Sequence, residues 1–471
     1  MSVERQQRKP EQLSLFVEIG AMVRPVDFGK DGIGSEATEE LQTLTAMEQN
    51  RALTLNLMER IVHPSNLNAA YKRVRSNKGA AGIDALSVDE LSTWLKDNKA
   101  ELIATLLSGQ YEPQPVKGVQ IPKPGGGIRQ LGIPTVRDRF VQQAILQVLE
   151  PIFDSMFSES SFGFRPRRSA HQALHKASEY VSEGYEIVVD VDLEKFFDRV
   201  NHDILMSWLA RWIGDKRLLR IIRRFLQAGM MQSGICIRRI EGSPQGGPLS
   251  PMLSNILLDD LDKELERRGH RFCRYADDCN IYVRTKKAGE RVMASVTAYL
   301  EKKLHLRTNR SKSAVDYVWK RKFLGYRLLI GGRLGLAPKS LQRAKDKIRQ
   351  ITRRNRGVKL SQIVRELNEY LSGWLTYYRY AQCYSHLVAL DGWVRRKIRC
   401  YRLKQRKRVK SIAAFLQQQG VVQWRAWLMA LSGKGWWRLS GTPQANEAMP
   451  NRWFDEIGLV CTTIRYKQLT S

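Results

Sequence analysis

The sequence predicts an α+β protein: a helical N-terminal section, a mixed core in which helices and strands alternate irregularly, and a helical, strongly basic C-terminal part. Three features predict it. "YEIVVDVDL" (185–193) switches from helical spacing to period-two alternation, which marks a central strand. "VKGVQIPKP" and "IRQLGIP" flank three glycines at 125–127, the pattern of a hairpin. From Ser340 onward apolar residues recur at helical spacing while Lys and Arg accumulate, and 391–410 holds ten of them against one Asp.

Taken in order, residues 1–50 are polar and predict a poorly ordered leader. From Glu40 to Leu107 the spacing is helical, broken by "RSNKGAAGIDALSVDEL", where Ser87 and Glu90 form a capping box. The hairpin follows, then helical stretches at 138–157 and 169–184, the strand at 185–193, and two helices at 202–213 and 216–230. A strand near 235–240, a tight Gly/Pro loop, another helix and the pair "RFCRYADDCNIYV" (271–283) complete the core. The division is a helical N-terminal extension (51–110), a core (111–335), a helical unit (336–405) and a basic tail (406–471).

Charge narrows the function. The chain of 471 residues carries 78 Lys plus Arg against 47 Asp plus Glu, a net +31, which self-repels unless a polyanion shares the surface. Nucleic acid is the expected partner. No apolar run approaches the roughly 18 residues a membrane helix needs, and the N-terminus lacks the layout of a secretory signal, so the protein is expected inside the cell. Six cysteines without a C-x-x-C pair suggest neither a zinc site nor a disulfide framework.

Against this basic background the acids stand out. Alternation puts Asp190 and Asp192 on one face of the strand with Val188, and unpaired burial of such charges is costly, so either a cation or Arg/Lys partners must compensate. Asp277 and Asp278 sit at the bend of a second strand pair. Acids from two strands aimed at one point suit Mg²⁺, and two such ions serve in-line phosphoryl transfer. Adjacent residues point oppositely on a strand, so Asp277 is expected to be the principal ligand and Asp278 to assist.

"YADD" at 275–278 resembles the YxDD signature of reverse transcriptases, and it keeps ordered company. "IPKPGGGIRQLGIPTVRDRFVQQA" (121–144), "SFGFRPRRSAHQAL" (161–174), "DLEKFFDRVNHDIL" (192–205), "GSPQGGPLSPMLSNILLDDLD" (242–262) and "KRKFLGY" (320–326) together resemble the reverse transcriptases encoded by bacterial group II introns, from about residue 60 onward. The resemblance implies a right-hand polymerase: fingers and an antiparallel palm sheet, then a basic helical thumb or maturase domain.

It also implies roles. Asp192, Asp277 and Asp278 hold two Mg²⁺ ions, for which Mn²⁺ could substitute, and Asp190 is a neighbour rather than a ligand. Phe197 gates against the 2′-OH of ribonucleotides while Phe196 packs in the core. Lys123 and Arg129 bind the triphosphate, Gln245 lies by the incoming nucleotide, and Lys312 stands near the metals and primer. Ser243, Pro248 and Leu249 depart slightly from the family's usual loop. "LNEYLSGWLTYYRYA" (367–381) resembles the maturase-specific region, and the cations after it (Arg395, Arg396, Lys397, Arg399, Lys404, Arg406, Lys407, Arg408) are expected on nucleic acid.

The implied activity is RNA-directed DNA synthesis, with binding of the intron RNA to assist splicing and mobility. Partners are that RNA, an RNA template and DNA primer, dNTPs and target DNA, with no membrane; the setting is a cytoplasmic, nucleoid-associated ribonucleoprotein. No endonuclease domain is expected, since no Cys/His cluster follows the maturase-like region. Two other readings stay open at this point: a similar polymerase recruited to DNA repair or phage defence, and a non-catalytic splicing factor.

Overall fold

A computed structural model describes residues 54–122, 126–232, 235–237 and 239–470. The polar leader and Lys123 lie outside the described residues. The chain opens with α1 (Leu57–Val62), α2 (Pro64–Asn77) and α3 (Leu91–Leu107). Just before α3 the anticipated capping box is in place: Glu90 accepts from the Ser87 backbone N–H at 2.8 Å and Ser87 Oγ accepts from the Glu90 N–H at 3.4 Å.

The hairpin is β1 (Val116–Pro122) and β2 (Ile128–Ile133), paired antiparallel from Lys117↔Ile133 to Pro122↔Ile128. Helices α4 (Val136–Asp154) and α5 (Ala170–Ser182) follow, the second opened by a Ser169/Gln172 capping box. Next come β3 (Ile187–Val191), α6 (His202–Trp212), α7 (Lys216–Gln227), β4 (Met230–Gln232) and β5 (Ile235–Ile237). The strands β1, β2, β4 and β5 form one sheet in the order β2-β1-β4-β5.

The second sheet carries the chemistry. After α8 (Ser250–Arg267), strands β6 (Arg271–Tyr275) and β7 (Asp278–Val283) form a tight hairpin, and beyond α9 (Lys286–Lys303) β8 (Ala314–Tyr317) completes the order β6-β7-β3-β8, every neighbour antiparallel. This is the expected antiparallel palm sheet. Its alternation sorts side chains into two cores. Ile187, Val189 and Val191 pack with the N-terminal helices, α8 and α9, while Val188 joins a core that includes α5.

That second core continues into the C-terminal part. Strands β9 (Tyr326–Leu328) and β10 (Leu334–Leu336) lead into α10 (Pro338–Ile351), α11 (Leu360–Tyr378) and α12 (Tyr384–Arg406). On α11, Leu367, Leu371, Trp374 and Tyr378 are buried at the helical spacing read from sequence, and Tyr370 is half-buried. Residues after 406 fold as six short helices, α13 (Val409–Gln418), α14 (Gln423–Ala430), α15 (Trp436–Leu439), α16 (Pro443–Ala448), α17 (Asn451–Glu456) and α18 (Thr462–Thr470). Phe415, Leu416 and Phe454 bury this segment in the same core.

Leu371 is fully buried on α11, so Leu371→Ala should cost about 2–5 kcal/mol by loss of burial and the cavity left behind. Exposed Glu369→Ala on the same helix should stay within about 0.5 kcal/mol. Denaturant midpoints of the two variants check the packing of this face.

Candidate active site and nucleic-acid cleft

Strand β3 and the β6–β7 hairpin bring the acids together through register. Val191 pairs with Cys279, so the next step along both strands sets Asp192 opposite Asp278. Tyr275 pairs with Asp278, which leaves Ala276 and Asp277 as a two-residue turn. Asp192, Asp277 and Asp278 therefore converge from two strands at one end of the sheet.

Each acid has a different neighbour. Asp190 is held by Arg321 of "KRKFLGY", whose Nε and Nη2 lie 3.0 and 2.6 Å from Oδ2. Lys312 Nζ lies 3.3 and 3.4 Å from the two carboxylate oxygens of Asp192. The same Arg321 donates to the Lys312 carbonyl at 2.6 Å and so fixes the segment that carries this lysine. A basic partner thus stands beside each of the two strand acids. No ion pair holds Asp277 or Asp278 among the described residues.

Their acidities reflect that crowding. Burial, and then the charge of Asp192, raise the Asp277 carboxyl, with Arg129 and Lys312 pulling the other way; of the two turn acids it is Asp278, not Asp277, that lines the adjoining cleft. Asp278 is reached by water at the cleft floor, yet enclosure and the charges of Asp277, Asp190 and Asp192 push it up to about 6. Like charges without a counter-charge are what a divalent cation would relieve, and carboxylate oxygens are its preferred hard donors. The fit is one of donor chemistry: among the described residues no three potential ligands are already drawn into a cage.

The other expected residues are placed as follows. Phe196 is buried and Phe197 half-buried, their rings edge-on at 5.2 Å and 68°, and both pack on the same core. The Phe197 carbonyl accepts from the Ser243 N–H at 2.7 Å and ties this turn to the "SPQGG" loop. Gln245 is half-exposed on that loop, and its carbonyl accepts from the Gly132 N–H of β2 at 2.9 Å. Gly246 makes the approach possible: its φ is 137° and a Cβ there would lie 2.5 Å from the Gly132 carbonyl oxygen. Arg129 is exposed on β2.

A cleft of about 1520 Å³ opens from these acids, with Asp190, Asp192 and Asp278 on one side and Arg321, Lys322, Arg327, Lys339 and Arg343 among the cations lining it. The last four were not singled out in the sequence, where nothing distinguishes them from other surface cations. A second hollow of about 400 Å³ lies between the end of α10 and α12, lined by Arg349, Arg353, Arg354, Lys397, Lys404 and Trp436.

The expected nucleic-acid cations divide on the structure. Lys397 and Lys404 line the smaller hollow, and Lys407 and Arg408 are exposed. Arg395 lies 3.6 Å from Cys461 Sγ, Arg396 stacks over Trp437 at 4.3 Å, Arg399 donates twice to the Met449 carbonyl, and Arg406 stacks over Phe415 at 4.7 Å. Those four make contacts within the protein, and Lys397, while lining the hollow, also lies over the Trp393 and Trp437 rings at 5.3 and 5.2 Å.

Carboxylates at the end of an antiparallel palm sheet, facing a cation-lined cleft, define a class: a phosphoryl-transfer enzyme that acts on nucleic acid. The sequence model of the reverse transcriptase (RNA-dependent DNA polymerase) family matches residues 121–328, and that of the group II intron maturase-specific domain matches residues 341–420. Protein YkfC of Escherichia coli (strain K12) is 34% identical over 336 residues, covering 63% of this chain and 88% of YkfC. Group II intron-encoded protein LtrA of Lactococcus lactis subsp. cremoris is 36% identical over 204 residues, 43% of this chain and 34% of LtrA. Nuclear intron maturase 2, mitochondrial, of Arabidopsis thaliana is 29% identical over 178 residues, 29% of this chain and 24% of that protein. The matches thus span most of YkfC but about a third or less of the other two.

The chain belongs to the group II intron reverse transcriptase/maturase family, whose activity is RNA-directed DNA polymerisation. Reverse transcriptases work with divalent metals. No helix among the described residues is long and apolar enough to cross a membrane.

Because Asp278 is raised to about 6 from an ordinary 3.8, the metal-free folded protein binds its proton more tightly than the unfolded chain does. The ionised carboxylate therefore weakens the fold, with no effect below the ordinary value and a full effect above the raised one. Asp278→Asn should melt with the parent near pH 4 and above it from about pH 6 upward. Thermal melts in chelator across this range check the crowding, and a cation that relieves it should narrow the gap.

Proposed function

We propose that this chain copies RNA into cDNA with Asp192 and Asp277 as the principal ligands of two Mg²⁺ ions and Asp278 assisting. The observation that carries the reading is the convergence of Asp192 with the "YADD" turn, enforced by the β3–β7 register. The cations would lower the cost of the attacking primer oxygen and of the negative charge on the leaving pyrophosphate, and Mn²⁺ can take their place.

The chain's own residues do the rest. Arg129 on β2, with Lys123 six residues before it in the sequence, binds triphosphate oxygens, Arg through a fork and Lys as a point charge. Phe197 lies beneath the sugar and leaves a 2′-OH neither space nor partner. The Gln245 loop, tied to both β2 and the Phe197 turn, couples the position of the nucleotide to that gate. Lys312 steadies Asp192 and neutralises part of its charge. Primer and template phosphates run along the cleft past Lys322, Arg327, Lys339 and Arg343.

Binding of intron RNA, in support of splicing and mobility, falls to the helical part, where Lys397, Lys404, Arg353 and Arg354 surround the smaller hollow and Trp436 offers a ring for stacking. Lys407 and Arg408 extend this surface. Target DNA follows as the partner of mobility, and a cytoplasmic, nucleoid-associated ribonucleoprotein as the setting. A non-catalytic splicing factor would have no use for Asp192 and the "YADD" acids in convergence. Recruitment to repair or defence is disfavoured by the maturase-specific region at 341–420.

Primer extension on an RNA template with Mg²⁺ should yield cDNA, and the Asp192→Ala/Asp277→Ala double variant should lose at least about 10³-fold of it while binding RNA as before. Retained synthesis would remove the metal assignment. Lys397→Gln/Lys404→Gln should weaken intron RNA binding and lower the slope of log K against log salt by about 0.7 for each phosphate no longer neutralised. An unchanged slope would put the RNA elsewhere.

A further inference from the structure

The "YADD" turn adopts a backbone that its first residue resists. Ala276 has a φ of 58°, in the left-handed region that glycine enters freely and alanine does not. Two-residue hairpin turns commonly place Gly, Asn or Asp where φ is positive. With alanine there, the conformation depends on restraint from outside the turn.

That restraint lies directly beneath it. Arg274 on β6 is fully buried, and each of its five N–H groups has an acceptor. Nε donates to Asp262 at 2.7 Å, and Nη2 to Asp262 at 2.5 Å and Ser161 Oγ at 2.8 Å. Nη1 donates to Asn255 Oδ1 at 3.0 Å and to the carbonyl of Ala276 at 2.9 Å. The guanidinium is clamped on three sides by α8 and the 161–163 segment, and its remaining donor reaches the turn.

The same segment meets the turn from the side. Asn255 Nδ2 donates to the Gly163 carbonyl at 2.8 Å, and a Cβ on Gly163 would stand 2.2 Å from the Ala276 nitrogen. Along the outer edge of β6, Arg274 N–H donates to Ser160 and Phe162 N–H donates to Arg274, both at 2.9 Å. An ion pair serving only to fill the core would need Asp262 alone. Here the fork also fixes a backbone carbonyl one residue before Asp277.

We propose that Arg274 is a positioning residue for polymerisation: clamped by Asp262, Asn255 and Ser161, it holds the Ala276 carbonyl and so keeps the turn in the left-handed geometry that sets Asp277 at the hairpin end, where Asp192 arrives from β3. The inference rests on Asp277 being a catalytic carboxylate. Lysine at 274 would retain the charge beside Asp262 but lacks the planar fork that reaches Ser161, Asn255 and Ala276 together.

The test is Arg274→Lys, alone and with Ala276→Gly, beside Asp277→Asn. In metal-free protein, hydrogen–deuterium exchange of Arg274→Lys should quicken in peptides spanning 274–279 and stay unchanged elsewhere. Its kcat should fall at least about tenfold while the KM for dNTP and the affinity for template-primer stay within about threefold, because geometry at the reacting centre is lost and binding is not. Glycine at 276 adopts the turn without help, so the double variant should regain at least about threefold of the lost kcat. Wild-type kcat in Arg274→Lys, faster exchange throughout the palm, or no recovery with glycine would overturn the proposal. If Arg274→Lys does not fold, Ser161→Ala, which removes a single bond to Nη2, should show the same pattern with a loss of about threefold, and wild-type behaviour would overturn it. Synthesis retained by Asp277→Asn would instead overturn the reading of Asp277 on which the inference rests.

Discussion

The antiparallel pairing of β3 with β7 is the constraint on which the site depends. Its register, Val191 against Cys279, decides that Asp192 meets the hairpin end rather than its middle. A slip of one residue would turn every side chain of β3 to the opposite face and send Val189 and Val191 toward the cleft. Burial of Ile187, Val189 and Val191 in one core and of Val188 in the other leaves the strand no such freedom. Hydrophobic packing thereby fixes the position of three carboxylates that repel one another.

That repulsion is graded rather than cancelled. Arg321 neutralises Asp190 and Lys312 partly neutralises Asp192, while Asp277 and Asp278 at the hairpin end have no ion-pair partner among the described residues, and burial first and neighbouring carboxylates second raise both. The negative potential is thus concentrated at the cleft end of the sheet. Around it the cleft is cationic, so a polyanion is drawn along the walls while the floor favours a divalent cation.

Much of this was legible in the sequence, for physical reasons. Period-two alternation in "EIVVDVDL" gave the strand and its faces, because successive side chains of a strand point to opposite sides and the large aliphatics Ile187, Val189 and Val191 share one of them. The glycine turn at 125–127 and the helical aromatic spacing of 367–378 read as the hairpin and α11 that form. What escaped notice was short or non-local. Strand β8 is four residues long and gains its identity only from pairing with β3 across more than a hundred residues. The Arg274 clamp joins residues 161, 255, 262, 274 and 276, and in sequence Arg274 looks like a polar strand residue, so nothing local marks it as fully buried. The cations of α12 posed the converse problem: composition reveals that they are many, and only packing separates Arg399 on the Met449 carbonyl from Lys404 facing the hollow.

The central claim is that two strands supply one metal site. Crystals grown with template-primer, a non-reactive dNTP analogue and Mn²⁺ would test it through an anomalous difference map. The account predicts strong peaks within coordination distance, about 2.0–2.3 Å, of carboxylate oxygens of both Asp192 and Asp277. Peaks that contact only one of these residues, or lie away from the β3–β7 end of the palm sheet, would contradict it.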